Sequence, residues 1–343
     1  MPFLRNRWYV ACWAADLTTD PLARTILGDP VALYRGSGGA PVALEDRCCH
    51  RSAPLSLGKV EGDKIRCGYH GLVFDPTGAC VSIPGQSRIP PGAKVQSYPV
   101  VEKWGAVWIW PGAPDTAEPA LIPNIFWLDD PGWTPAPGYI NVKTDYRLLV
   151  DNLLDLTHVS YLHRGTLAGD DIEAVTPVST ARKGDTVTVE RWIMNVSPPP
   201  LYTSASGIEG IVDRWQLIQW EAPANVYFDI GCARAGTGAP EGDRGQGVSM
   251  WSTHLITPET EASTHYHFSF ARDYALDDPE VTEILRSGAL SAFLEDLEVL
   301  EVQQCVISSR ENPPSIDINI DNASLQARRI LSELIAAEAS LSE

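Results

Sequence analysis

The stretch from Arg47 to Gly71, RCCHRSAPLSLGKVEGDKIRCGYHG, places two cysteine–histidine pairs close together. One reads C-x-H, from Cys48 to His50, and the other C-x-x-H, from Cys67 to His70. Sixteen residues separate His50 from Cys67, and glycine or proline lies near each pair. Thiolate and imidazole are metal-binding groups, and tight loops can aim both at one point. A second constellation reads Asn152-Leu-Leu-Asp155-Leu-Thr-His158-Val-Ser-Tyr-Leu-His163. Two imidazoles and one carboxylate with open coordination positions form the ligand set of non-haem Fe(II) oxygenases.

Two metals compete for the first constellation. Zinc fingers usually begin with C-x2–4-C and close with H-x3–5-H. Here each loop supplies one cysteine and one histidine. That is the arrangement of a Rieske [2Fe–2S] cluster, in which two thiolates hold one iron and two imidazoles the other. In the second constellation, Asp155 and His158 are three apart and share a face of a regular helix. His158 and His163 are five apart, about 140° around such a helix. They converge on one metal only if the helix ends or bulges, and Gly165 supplies a nearby end. The third ligand must come from elsewhere. The helical stretch GALSAFLEDLEVLEVQQC has an apolar stripe of Leu290, Phe293, Leu294, Leu297 and Leu300. Glu295 and Glu298 fall off it, whereas Asp296 on its flank and Glu301 on it both remain candidates.

RCCHRSAPLSLG followed by CGYHGLVFD resembles the N-terminal domain of Rieske non-haem iron oxygenases. The resemblance implies that Cys48 and Cys67 bind one iron of the cluster and His50 and His70 the other. The family usually has proline between the first Cys and His, where this chain has Cys49. The C-x-H register selects Cys48, because Cys49 adjoins His50 and is expected to point away. The motif N-x-x-D-x-x-H-x4-H is similar to the family's mononuclear site, which implies Asn152 and Asp155 as catalytic residues and His158 and His163 as ligands. An F-x-E-D element followed by Gln selects Asp296 as the third ligand. The resemblance further implies a head-to-tail homotrimer in which Asp155 links His158 of one subunit to His70 of the next.

Within the family the chain resembles the vanillate O-demethylase oxygenase subunits, with the dicamba and toluenesulfonate enzymes as relatives. The implied function is a terminal oxygenase that O-demethylates a vanillate-like methoxylated aromatic acid, with O2 as co-substrate and release of formaldehyde. The alternatives are hydroxylation of an aryl methyl group or ring, and a Rieske electron-transfer protein without catalysis. Trp215, Gln216 and Phe228 are the pocket candidates on two strands. His254 matches a pocket histidine of the dicamba-type relative. No arginine is singled out for a substrate acid group.

These residues need a scaffold. Up to about Pro111, short alternating segments such as VALYRG, PVALEDR, KIRCGYHGLVFD and AVWIWPG lie between Gly- and Pro-containing breaks. PGAPDTAEPALIP, with four prolines, reads as a linker. Residues 145–163 have a helical rhythm, 186–272 return to strands, and 279–310 and 322–339 are helical. The expected fold is therefore α+β: an all-β Rieske domain at 1–112, then an α+β catalytic domain at 113–343 with an antiparallel sheet flanked by helices. His265 and His267 share one face of a strand and read as structural. The glycine-rich GCARAGTGAPEGDRGQG lacks a G-x-G-x-x-G that opens a helix and reads as a loop. Without a nucleotide motif, nicotinamide and flavin chemistry belongs to a separate reductase with a flavin and a ferredoxin-type cluster.

The 343 residues are 44% hydrophobic, enough for a sizeable core, and their net charge of −18 opposes nucleic acid and anionic membranes. No apolar run approaches the roughly 20 residues of a membrane helix. WYVACWAA loosely mimics a secretion signal but stops at Asp16, so it reads as a buried first strand. Seven scattered cysteines form no disulfide framework, which fits a reducing cytoplasm.

Overall fold

Alternating apolar side chains organise the first part of the computed structural model, which describes residues 3–164, 166–168, 171–311 and 315–341. Ten strands follow in order: β1 (Tyr9–Trp13), β2 (Leu22–Ile26), β3 (Asp29–Arg35), β4 (Pro41–Glu45), β5 (Lys59–Glu61), β6 (Lys64–Arg66), β7 (Val73–Phe74), β8 (Cys80–Ser82), β9 (Val100–Lys103) and β10 (Ala106–Ile109). They form three antiparallel sheets, β1-β10-β9, β2-β3-β4 and β5-β6-β7-β8. Within WYVACWAA, Tyr9–Trp13 is a wholly buried strand, and Ala14–Asp16 turns into a 3-10 helix. The period of two on β3 serves two cores. Val31 and Leu33 pack with Tyr9, Val107 and Ile109, while Ala32 and Tyr34 pack with Leu44, Ile65, Phe74 and the thiols of Cys48 and Cys67.

The chain divides into two compact units. The first takes residues up to Asn124 together with Thr257–Glu261, and the second takes Ile125–Ile256 and Ala262 onward. The proline-rich stretch after Pro111 forms 3-10 turns at Pro114–Thr116 and Pro119–Leu121 and stays with the first unit. It is tied there: Trp8 Nε1 donates to Glu118 O (2.9 Å) and Ala113 N–H to Asn6 Oδ1 (2.9 Å).

The second unit is built on β11 (Thr134–Val142), β12 (Ser179–Lys183), β13 (Thr186–Val196), β14 (Val212–Glu221), β15 (Asn225–Arg234), β16 (Gly247–Thr260) and β17 (Ser263–Arg272). These make one seven-stranded antiparallel sheet in the order β11-β17-β16-β15-β14-β13-β12. Strand β11, TPAPGYINV, carries two prolines and reads poorly as a strand in sequence. It is tolerated because it is the sheet edge, where a missing N–H disrupts no inner ladder. Residues 235–246 of the glycine-rich segment form the loop between β15 and β16, with Gly236, Gly238 and Gly242 at positive φ.

Among the described residues, five helices complete the unit: α1 (Tyr146–Leu154), α2 (Val159–Leu162), α3 (Pro200–Ser206), α4 (Pro279–Ser308) and α5 (Asn322–Leu341). Asp145 caps α1 by accepting from Arg147 N–H (2.8 Å), and Asp278 caps α4 with Pro279 in the first turn. Helix α4 packs on β11 and β17. Its buried face is Leu285, Ala289, Ala292, Phe293, Asp296, Leu297 and Leu300. Leu294, expected on that stripe, is instead 52% exposed, and Asp296 is 5% exposed on the inside. Phe293, Leu297 and Leu300 are buried as expected, but the buried face extends toward Ala289, Ala292 and Asp296 and not toward Leu294. Among the described residues, no helix is long and apolar enough to cross a membrane.

Candidate metal centres and active-site cavity

The two cysteine–histidine loops share one backbone plan. In the first, Cys48 N–H donates to Ala53 O (2.8 Å) and Ser52 N–H to Cys48 O (2.9 Å). In the second, Cys67 N–H donates to Leu72 O (2.8 Å) and Gly71 N–H to Cys67 O (3.1 Å). The fourth residue after each cysteine is left-handed, Ser52 at φ 55° and Gly71 at φ 75°. The loops also need close approach: a Cβ on Gly58 would lie 2.1 Å from Arg66 O. Asp46 braces the first loop by accepting from Ser56 N–H (2.7 Å) and Oγ (2.6 Å).

This plan sorts the four side chains into two pairs. Cys48 and Cys67 are each 2% exposed and their thiols interact, with burial pushing the Cys48 thiol up to about 11. Such a thiol ionises at neutral pH only with a cation to bind it. His50 and His70 are exposed, with ring centroids 4.6 Å apart. Two thiols inside and two imidazoles outside fit a cluster held by sulfur at one iron and nitrogen at the other. Cys49 is exposed on the imidazole side, where it lines one open cavity with His50 and His70.

The second site depends on a helix break. The continuous helix expected over 145–163 is two: α1 stops at Leu154, Asp155 is extended (φ −99°, ψ 101°), and His158 caps α2. The cause is local. Asp155 Oδ1 accepts from Thr157 N–H (2.7 Å) and Thr157 Oγ1 (2.6 Å), a side-chain turn that competes with helix continuation. Asp155 and His158 therefore do not share a helix face as expected. His158 and His163 stand at the two ends of α2, and Gly165 lies outside the described residues.

Three ligand atoms converge. His163 Nε2 is 3.1 Å from Asp296 Oδ1, His158 Nε2 is 3.4 Å from the same oxygen, and the two Nε2 atoms are 3.3 Å apart. Neighbouring ligands at about 2.1 Å from a metal lie about 3 Å apart. Spacings of 3.1, 3.3 and 3.4 Å therefore suit three ligands of a single ion. The ligand atoms of His158, His163 and Asp296 all lie within 4.8 Å of one another, close enough to hold one ion. Burial works to raise the pKa of Asp296, but hydrogen bonds from His158 and His163 outweigh it and hold the carboxyl well below its usual range. Glu301, the other candidate, instead accepts from Lys143 N–H (2.9 Å).

Neighbours fix these groups. Asn152 Nδ2 donates to Asp296 Oδ1 (2.9 Å). Glu295 Oε2 lies 2.6 Å from His163 Nδ1 and accepts from Thr166 Oγ1 (3.2 Å). A carboxylate on the far nitrogen sets the tautomer and raises the basicity of a ligating imidazole. Sequence reasoning set Glu295 aside as off the stripe; its position beside Asp296 was the available signal. The Nδ1 of His158 is buried with no hydrogen-bond partner among the described residues.

The trio opens on a small cavity. Its sheet wall carries Gln216, Phe228, Ile230 and His254, with Phe293 from α4. Trp215, expected to point inward, faces the other side of the sheet, because neighbours on a strand alternate. It packs with Ala233 and Ala239 and donates Nε1 to Asp229 Oδ1 (2.9 Å). His254 lines the cavity with both nitrogens engaged, Nε2 with Ser252 Oγ (2.9 Å) and Nδ1 with Tyr266 Oη (2.6 Å). Burial pushes its pKa down to about 3. His265 and His267 lie beside Tyr139, which bonds His265 Nδ1 (2.9 Å).

Comparison with known proteins follows the same division. Residues 7–99 match the Rieske [2Fe-2S] domain, and residues 142–337 match the vanillate O-demethylase oxygenase C-terminal domain. The chain is 46% identical to the toluene-4-sulfonate monooxygenase system iron-sulfur subunit of Comamonas testosteroni, over 98% of both chains. It is 38% identical to the vanillate O-demethylase oxygenase subunit of a Pseudomonas species, over 98% of this chain and 96% of the other. The crystal structure of dicamba monooxygenase bound to 3,6-dichlorosalicylic acid superposes with a TM-score of 0.92 at 36% identity, covering 99% of each chain.

Proposed function

The chain belongs to the Rieske non-haem iron oxygenases, and on that premise we propose that it oxidises a methyl or methoxy carbon on an acidic aromatic ring. The observation that carries this reading is the triangle of His158, His163 and Asp296 on the wall of a largely apolar cavity. An electron carrier without catalysis has no use for that trio. Cys48, Cys67, His50 and His70 would hold the [2Fe–2S] cluster, and the trio the mononuclear Fe(II). When bound, these metals supply stored electrons and O2 activation.

The protein's own groups orient and exclude. Asn152 steadies Asp296, Glu295 fixes His163, and the aromatic wall keeps bulk water from the reacting carbon. Asp155 borders both this cavity and an open groove beside α1 and α4. That position supports its role as the link to a second subunit. The groove is edged by exposed Val299, Ile316 and Leu325, which suits cover by another copy in the expected homotrimer.

Two carbon targets follow from the relatives. The 46% identity to a toluene-4-sulfonate system puts hydroxylation of an aryl methyl group first. The 38% identity to a vanillate O-demethylase subunit supports O-demethylation, in which hydroxylation of the methoxy carbon leaves a phenol and formaldehyde. Electrons would come from NAD(P)H through a separate flavin and ferredoxin-type reductase, whose docking face is basic to suit a subunit of net charge −18. With none of the seven cysteines in a disulfide, the proposed compartment is the cytoplasm.

The test is turnover with such a reductase, NADH and O2 on 4-toluenesulfonate, 4-methylbenzoate and vanillate. Benzylic alcohol from the first two indicates methyl hydroxylation, and formaldehyde from vanillate indicates demethylation. Oxidation of none of these, with both metal sites loaded, rejects the reading.

A further inference from the structure

Strand β14 turns Arg214 and Gln216 toward the same side, and both line the cavity. Arg214 is 2% exposed. Its Nη1 pairs with Glu173 Oε1 (2.5 Å), its Nη2 donates to Leu167 O (3.2 Å), and its Nε is buried with no hydrogen-bond partner among the described residues. Tyr202, its ring 5.3 Å from Arg214 Cζ, joins Glu173 in favouring the charge, and together they raise the Arg214 pKa against burial. Arg191 on β13 is 1% exposed. It donates Nε to Gln216 Oε1 (2.7 Å) and Nη1 to Glu173 O (3.1 Å), while Nη2 stands 3.8 Å from Glu173 Oε2 without a hydrogen bond.

Among the described residues, two guanidinium groups thus share one carboxylate in the interior. Arginine stays charged in proteins, so the excess is not removed by deprotonation. Burial, then repulsion from Arg214, pulls Arg191 down to about 10, against the attraction of Glu173 and Asp155. Asp155 offsets part of this charge, although its Oδ1 is engaged by Thr157. An unpaired N–H on a buried cation is costly, and an anion entering the cavity that Arg214 lines would lower that cost.

We propose that Arg214 forms an anion subsite in this cavity, taking the acid group of an aromatic substrate, a carboxylate or a sulfonate, with Nε donating to an acid oxygen. The assignment rests on the oxygenase reading and deepens it. Asp155 and Asp296 on the same cavity repel an acid group, so the charges favour one orientation, with the ring's uncharged substituent toward the trio.

The test is equilibrium binding, by calorimetry and by the rise in melting temperature, of 4-toluenesulfonate, 4-methylbenzoate and neutral 4-methylbenzamide to the full-length holoprotein without reductant. Arg214→Gln should weaken the two anions about 10- to 100-fold and the amide by less than about threefold. Glu173→Gln releases Nη1 of Arg214 and should tighten the anions about 3- to 10-fold, which a purely structural ion pair would not do. The better-bound anion identifies the acid. Unchanged anion affinity in folded Arg214→Gln overturns the subsite, as does equal weakening of anions and amide. If Arg214→Gln does not fold, Glu173→Gln decides, and weaker anion binding there overturns the proposal. A wild type that binds the anions but oxidises none of them rejects the oxygenase reading and leaves the subsite standing.

Discussion

The cluster loops and the mononuclear trio are built by opposite routes. The loops take four side chains from one short stretch, Cys48 to His70, and repeat one hydrogen-bond plan around each cysteine. The trio joins both ends of α2 to a carboxylate far along the chain on α4. The first site is specified by local turns, whereas the second exists only when a helix breaks and another helix packs at the right rotation. Damage at the first should therefore be confined to it, and the second should be sensitive to residues that touch no metal.

The largest effect is expected at the loops. Cys48→Ser should abolish the cluster's visible absorption and EPR signal, and with them all turnover. Cys49→Pro should keep both, since Cys49 is exposed and the C-x-H register makes Cys48 the ligand. Retention in the first with loss in the second would reverse the assignment.

Next come His158→Ala and Asp296→Ala, which should lose the mononuclear iron by metal analysis while the cluster spectrum stays intact. Loss of the cluster in either variant would break the independence of the two sites.

Asp155→Asn tests the link between them. Both metals should remain, and reduction of the cluster should proceed normally, yet turnover should fall about 10- to 100-fold or more. Full coupled turnover would remove Asp155 from the electron route. Loss of iron as complete as in His158→Ala would make it a ligand.

Glu295→Gln is milder. The amide still reaches His163 Nδ1 but lacks the charge, so iron affinity should drop about 10-fold, measured by chelator competition. No change would mean that Glu295 does not tune the imidazole.

The smallest effect concerns pH. Burial holds folded His254 down to about 3, whereas an unfolded histidine titrates near 6.5. The unfolded state binds the extra proton, so this contribution is complete above about pH 6.5 and lost as the pH falls toward 3. His254→Gln should show a shallower loss of melting temperature across that range than the wild type. Equal slopes would mean that His254 is not held neutral.

Sequence alone determined the first site, the membership of the family and the order of β and α+β parts. Cys–His spacing on tight loops is a short-range property, and alternation along strands such as β3 and β14 is written residue by residue. It also placed Gln216 and Phe228 on the right strands, but naming Trp215 with Gln216 ignored that adjacent strand residues face opposite ways. Tertiary structure decided the rest. The rotation of α4, which buries Asp296 and exposes Leu294, is fixed by packing on β11 and β17 and not by a stripe that two readings fit equally well. The break at Asp155 turned on a side-chain bond to Thr157 that helical periodicity does not register. The role of Glu295 and the sharing of Glu173 by Arg191 and Arg214 arise from residues distant in the chain, brought together only when the sheet and helices close around the cavity.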